Sequence, residues 1–295
     1  MKQVDFPDNY AFIDNKKFYD YNKSKFVILP VPYGGTVSYG KGAEKGPSAI
    51  IKASQHMELY DEELDKNNFE AGICTLEPLK SAKTAEKMID EIEKASSQLI
   101  KDNKFPIMLG GEHSISTGLV RALKKKYPDL SVLQLDAHAD LRARWYIGEE
   151  GKSKMSKFSH ASVMARIREL CPAVQVGIRS LSVEEAEWIK KDNLPVYFAK
   201  DTHDNENWFN EAISRLSNNV FITIDLDVFD PSVMSATGTP EPGGLDWYKV
   251  TKFLKEVCKN KNVVGFDVVE LAPNKDISCD FLAAKLIYKM IGYLS

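Results

Sequence analysis

The chain has 295 residues, 43% of them hydrophobic and 27% charged, with a formal net charge of −3 at pH 7. That length buries a large core, as one α/β domain or two smaller ones, and the mild acidity excludes a protein that neutralises nucleic-acid phosphates or is drawn to an anionic membrane. The start, Met1 to Asp8, carries acid and proline where a secretory signal carries a basic cluster and an apolar run, and no apolar stretch reaches the roughly 18–20 residues of a membrane helix. The four cysteines, Cys74, Cys171, Cys258 and Cys279, form no CxxC pair, so the expectation is a cytoplasmic protein with reduced, core-filling thiols.

In chain order, short β-branched or apolar runs alternate with stretches of helical period. A strand is expected over 25–31, helices over 47–55 and 84–101, and a strand over 105–109. A helix over 117–126, a strand over 131–135, a helix over 162–170 and a strand over 173–178 follow. Then come a helix over 183–191, a strand over 195–198, a helix over 206–216, a strand over 220–225, a helix over 247–259, a strand over 263–268 and a helix over 279–294. Ser182, Asn205 and Asp246 stand where N-caps belong. This rhythm predicts an α/β fold, a mainly parallel sheet with helices on both faces, in which buried strands read as continuous apolar runs. With no repeat and no Pro/Gly/Ser linker, a single domain over 1–295 is expected, its first 24 residues an extension packed on it.

In such sheets ligands bind beyond the carboxyl ends of the strands. Three strands run there into polar clusters: Gly110-Gly111-Glu112-His113-Ser114, Asp136-Ala137-His138-Ala139-Asp140, and Asp225-Leu226-Asp227-Val228-Phe229-Asp230. Residues i and i+2 share a side in extended chain, so Asp136, His138 and Asp140 can point together, as can Asp225 and Asp227. A lone strand-end Asp is ordinarily a cap or turn residue and a lone His a structural hydrogen-bonding group; here they recur together, and two of only five histidines fall inside the clusters. Carboxylates so crowded need a counter-charge, and one or two divalent cations supply it. Carboxylate with imidazole and no thiolate suits Mn²⁺, with other divalent transition ions as alternatives.

These motifs resemble the ureohydrolases, the family of arginases, agmatinases and guanidino-acid hydrolases. GGEHS at 110–114, DAHAD at 136–140, SHAS at 159–162, DLDVFDPS at 225–232, GTPEPGGL at 238–245 and GFDVVELAP at 265–273 stand in the family's order, after a similar glycine-rich segment at 31–50. The resemblance implies a three-layer α/β/α fold and two Mn²⁺ ions. His113, Asp136, Asp140 and Asp225 would hold one ion, and Asp136, His138, Asp225 and Asp227 the other. Two such ions about 3.5–4 Å apart lower the pKa of a shared water from about 15.7 toward neutrality, which a charge-delocalised guanidinium carbon requires. Asp140 would then carry a proton toward the leaving amine. Glu241 would pair with the substrate guanidinium, and His160, also at the substrate, would relay protons to product or bulk solvent. Asp230 reads as a turn-former supporting the ligand loop, and Glu270 as a hydrogen-bonding support of the ligands. A homo-oligomer, trimer or hexamer, is implied by the resemblance alone.

The small cationic guanidino substrate is expected to be agmatine, released as putrescine and urea. The loop 141–159 is longer than in the agmatinase branch, and it keeps N1-aminopropylagmatine, 4-guanidinobutyrate and arginine open. Glu149 and Glu150 could receive a second cationic end, Arg142, Arg144 and the lysines of this loop could instead hold a carboxylate, and a solvent-exposed insertion with neither role is the third alternative. A polyamine or acyl-lysine deacetylase of related fold, and a non-catalytic binding protein on the same scaffold, are the alternatives of other classes. A dinucleotide loop at Gly40, Gly42 and Gly46 has the wrong third spacing.

Overall fold

The computed structural model describes residue 12 and residues 20–148 and 153–295. The strands are β1 (Phe26–Val31), β2 (Tyr60–Asp61), β3 (Lys66–Asn67), β4 (Ile73–Thr75), β5 (Phe105–Gly110), β6 (Ser131–Leu135), β7 (Trp145–Ile147), β8 (Lys154–Ser156), β9 (Ala173–Ile178), β10 (Val196–Phe198), β11 (Asn219–Asp225) and β12 (Asn262–Val269). Eight of them form one sheet in the order β10-β9-β6-β11-β12-β5-β1-β4, and every neighbouring pair is parallel. Two short antiparallel ribbons, β2–β3 and β7–β8, stand apart from it.

The helices are α1 (Gly46–Ser54), α2 (Ala85–Lys101), α3 (Ser116–Lys126), α4 (Val163–Arg168), α5 (Val183–Lys191), α6 (Ala199–Thr202), α7 (Trp208–Ser214), α8 (Trp247–Asn260) and α9 (Ile277–Tyr293). The three layers follow from strand alternation. Along β1, Phe26 and Ile28 enter a core that also takes Ile50 of α1, Phe253 of α8 and Ile287 of α9. Val27, Leu29 and Val31 enter a second core with Met88 of α2, Leu119 of α3 and Ile167 of α4. Every residue of β1 is buried, as a central parallel strand covered on both faces requires. The expected α/β fold, three layers around a parallel sheet, is the one observed.

Element ends mostly obey local chemistry. Ser182 and Glu185 form a capping box at α5, and the Asp246 side chain accepts from Lys249 N at 2.9 Å. Asn205 does not cap α7. That helix starts at Trp208 with Asn207 at its N-cap, and Asn205 Oδ1 accepts from Asn207 N at 3.0 Å, a local turn that delays the helix. The edge strand β4, the two ribbons and the one-turn helix α6 have no counterpart among the expected elements. Each is four residues or fewer, too short to show a period. All four cysteines are free thiols. Among the described residues no helix is long and apolar enough to cross a membrane. Of the first 24 residues, Phe12 is buried and donates its N–H to Thr75 Oγ1 at 3.0 Å; residues 1–11 and 13–19 lie outside the described residues.

Candidate metal centre

The sheet order puts β5, β12, β11 and β6 side by side, and the chain passes from β5 to β6 across a gap that β11 and β12 later fill. The carboxyl ends of these four strands therefore meet at one edge. His113 follows β5, Asp136, His138 and Asp140 follow β6, Asp225 ends β11, Asp227 sits in the turn beyond it, and Glu270 follows β12.

All six expected ligands come together there. His113 Nδ1 lies 3.1 Å from Asp136 Oδ2, 3.3 Å from Asp140 Oδ2 and 3.2 Å from Asp225 Oδ2. His138 Nδ1 lies 2.9 Å from Asp227 Oδ2 and 3.7 Å from Asp136 Oδ1. Two ligand groups result, His113–Asp136–Asp140 and Asp136–His138–Asp227, and they share Asp136. His113 Nδ1 is buried without a hydrogen-bond partner although three carboxylate oxygens surround it, an arrangement that fits a cation between them.

The surroundings aim these groups. Gln134 Nε2 donates to Asp136 Oδ2 at 2.7 Å, and Gln175 in turn donates to Gln134 Oε1 at 2.5 Å. Ala137 N donates to Asp227 Oδ1 at 2.9 Å, and Asp227 N to Asp225 Oδ1 at 3.0 Å. Glu270 accepts from His113 N at 2.7 Å, the supporting role expected of it. Asp140 and Glu270 both adopt left-handed backbone, φ 52° and 65°, which costs side-chain-bearing residues energy and is held here by the packing around the site. Gly111 admits no side chain at all, because a Cβ there would overlap the carbonyl oxygen of Tyr33.

The electrostatics are those of a site built for positive charge. Burial and the neighbouring Asp136 push Asp140 up to about 7; burial and Asp227 raise Asp225. Burial alone would lower His138, but its contacts to Asp136 and Asp227 drive it up to about 12. Burial and Glu112 push Glu270 up to about 8. Buried like charges raise one another's pKa, and a cation among them relieves the conflict.

Sequence reasoning missed Thr223 and Arg179. Thr223 sits two residues before Asp225 on the same side of β11, and its Oγ1 lies 2.8 Å from His113 Nε2. A proton on Nε2 donated to Thr223 leaves the Nδ1 lone pair facing the three carboxylates. Thr223→Val should keep the strand yet weaken divalent-ion affinity about 10- to 100-fold, the usual effect of losing a ligand's orienting partner. Titration of the ion-free protein with Mn²⁺ measures this, and unchanged affinity would deny Thr223 that role. Arg179 lies one residue past the carboxyl end of β9, and a polar residue at that strand end is the signal that marks it in the sequence.

The cluster forms the floor of a cavity of about 200 Å³, walled by Ser38, Tyr39, Trp145, His160, Ser180 and Thr239 among others. His160 lies against the glycine-rich N-terminal segment. Thr36 Oγ1 is 3.4 Å from its Nδ1 and Ser38 Oγ 3.2 Å from its Nε2, and burial pushes its pKa down to about 4. Glu241 Oε1 stands 3.8 Å from His138 Nε2. Gly40 donates to the Gly238 carbonyl at 3.1 Å, where a Cβ on Gly40 would lie 2.5 Å from that oxygen, so only glycine lets the two loops meet. Arg142 stacks on Trp145, 4.3 Å from the ring centroid, with Nε 3.8 Å from Glu185. Glu149 and Glu150 lie outside the described residues.

The comparisons with known proteins agree with this geometry. The N(1)-aminopropylagmatine ureohydrolase of Synechocystis sp. is 40% identical over 292 residues, covering 96% of this chain and 93% of the relative. The agmatinase of Bacillus cereus is 35% identical, covering 92% of each. Among solved structures, the agmatine ureohydrolase of Thermoplasma volcanium superposes with a TM-score of 0.84 at 32% identity, over 99% of this chain and 95% of that one. The model of the Arginase family matches residues 24–292. Sequence, fold and the cluster at the strand ends agree: the chain belongs to the Arginase family and is a hydrolase of its agmatinase-like ureohydrolase branch.

Proposed function

We propose that the protein hydrolyses a linear cationic guanidine, agmatine in the first instance, to urea and putrescine, with two divalent ions, Mn²⁺ by preference. The observation that supports this most directly is the shared Asp136 between two imidazole–carboxylate groups on the cavity floor. His113, Asp136, Asp140 and Asp225 would hold one ion, and Asp136, His138, Asp225 and Asp227 the other. When bound, such ions supply an activated hydroxide at working pH and stabilise developing negative charge.

The chain's own residues bind, aim and move protons. The Glu241 carboxylate pairs with the guanidinium by charge-assisted hydrogen bonds and fixes its carbon over the cluster. Water adds to that carbon and the bond to the alkyl nitrogen breaks. Asp140 takes one proton of the water and delivers it to the leaving nitrogen, and the oxygen's second proton passes to the same nitrogen as the urea carbonyl forms, so the products are urea and an alkylammonium. His160, neutral at working pH and bonded to the hydroxyls of Thr36 and Ser38, links the cavity to the surface for proton exchange. The acidic lining favours a cationic substrate. Arg142 is already engaged by Trp145 and Glu185, which weighs against the carboxylate of 4-guanidinobutyrate or arginine. Family membership supports a homo-oligomer, a trimer or hexamer, and cytoplasmic residence belongs to the same reading.

N1-aminopropylagmatine is the second reading, favoured by relatives of that name at 40% and 36% identity. The test is urea release by Mn²⁺-loaded protein from agmatine, N1-aminopropylagmatine, 4-guanidinobutyrate, arginine and acetylated polyamines, with a chelator control. Chelator-sensitive urea from agmatine or its aminopropyl derivative is expected. Urea from arginine or the guanidino acid alone, or from none of them, would overturn the proposal.

A further inference from the structure

Arg179 is a half-buried cation whose donors go to main-chain carbonyls. Nη2 donates to the carbonyls of Asp227 at 2.7 Å, Phe229 at 3.2 Å and Glu241 at 2.7 Å. Nε donates to those of Glu241 at 3.2 Å and Pro242 at 3.1 Å, and Nη1 to Gly177 at 3.1 Å. Among the described residues no carboxylate lies within ion-pair distance of it, so it acts as a planar fork of donors that joins two loops. One carries Asp227 and the other Glu241.

The far end of the second loop is tied as well. Asp230 Oδ2 accepts from Gly243 N at 2.8 Å and Gly244 N at 3.2 Å, while Oδ1 is held by Ser232. Between these ties Glu241 is flanked by Pro240 and Pro242, whose fixed φ removes most of the remaining freedom. The loop's position relative to the cluster is thus set by hydrogen bonds from outside it. Both ties join the Asp227 loop to the Glu241 loop; Arg179 is the larger, and of the two it is the one that holds the backbone of Glu241 itself.

We propose that Arg179 is a positioning residue for guanidine recognition: it fixes the backbone of Glu241 to that of the Asp227 loop, and so sets the carboxylate's distance from the metal centre. This rests on the reading that Glu241 receives the guanidinium. Lysine cannot substitute, because a compact ammonium offers three donors from one point where the guanidinium offers five in a rigid plane.

A double-mutant cycle tests this on Mn²⁺-loaded protein, with guanidinium chloride binding by calorimetry and KM and kcat on agmatine as readouts, and with metal content measured for each variant. Glu241→Gln should weaken guanidinium binding and raise KM about 10- to 100-fold, and Arg179→Lys about tenfold, with kcat changed less than KM and both ions retained. The double variant should be no worse than Glu241→Gln alone, because the tie has lost the group it positions. Losses that multiply in the double variant, or an Arg179→Lys protein that binds guanidinium like the parent, would overturn the inference. If Arg179→Lys does not fold, Asp230→Ala releases the same loop from its exposed end and enters the same cycle with the same expected and contrary outcomes. A Glu241→Gln protein that binds guanidinium normally would instead remove the underlying reading and this inference with it, a result told apart from additivity by the single variant.

Discussion

Asp136→Ala is expected to leave less than one tightly bound ion per chain and to lower urea release at least about a thousandfold, about 4 kcal/mol in transition-state stabilisation. Asp136 is fully buried, lies between both imidazoles and belongs to both ligand groups, so its removal damages both ion positions at once. The ion-free variant should remain folded, since the substitution also removes one of several mutually repelling buried carboxylates. Metal analysis after gel filtration, with urea release in excess Mn²⁺, measures both effects. Two ions and normal turnover in this variant would show that Asp136 does not bridge.

Lys289→Met is expected to destabilise the fold by about 3–5 kcal/mol without touching the metal centre, because it strands a buried carboxylate. Lys289 is 3% exposed on α9, and its Nζ donates to Asp61 Oδ1 at 2.7 Å and Glu63 Oε2 at 2.8 Å. Asp61 is itself fully buried and also accepts from Asn68 at 2.9 Å. The cluster ties the β2–β3 ribbon to the C-terminal helix. Burial alone would raise Asp61's pKa, but the bonds from Lys289 and Asn68 hold it below the ordinary aspartate value of 3.8. Glu63, which burial would also raise, is brought down to about 2 by Lys255, Lys289 and Tyr293.

The pH dependence follows from those directions. Carboxylates with depressed folded pKa stabilise above their unfolded values, 3.8 and 4.5, and lose that contribution as pH falls through the folded ones. Lys289, which burial would lower but Asp61 and Glu63 raise, contributes fully below 10.5 and loses its contribution only above that. The deficit of Lys289→Met against the parent, from urea denaturation, should therefore hold near neutrality and shrink as pH falls from about 4.5 toward 2. Adding Asp61→Asn should recover part of it. A Lys289→Met protein within 1 kcal/mol of the parent at pH 7 would show the cluster to be dispensable.

Much of this was legible before folding. Continuous apolar runs such as Phe26–Val31 and Ser131–Leu135 mark strands covered on both faces, and the seven strands expected are all in the sheet. The polar residues that follow them point to the functional edge, because a lone strand-end Asp is an ordinary cap or turn residue whereas carboxylate and imidazole recurring at three strand ends are not. The Asn205 cap failed because a side chain able to cap a helix is equally able to close the turn before it.

The sequence by itself determined the α/β class and the carboxylates and imidazoles that follow the strands, because strand alternation and residue chemistry are local properties. Only the tertiary structure decided which strand ends meet. Strand order is set by crossover connections and long-range burial, and no window of sequence contains it. For the same reason the pairings of Thr223 with His113, Arg179 with the two loops and Lys289 with Asp61 are invisible in the chain, although Arg179's place just past a strand end is not. Each of the three is an ordinary residue at its own position and acquires its role from a partner between 62 and 228 residues away.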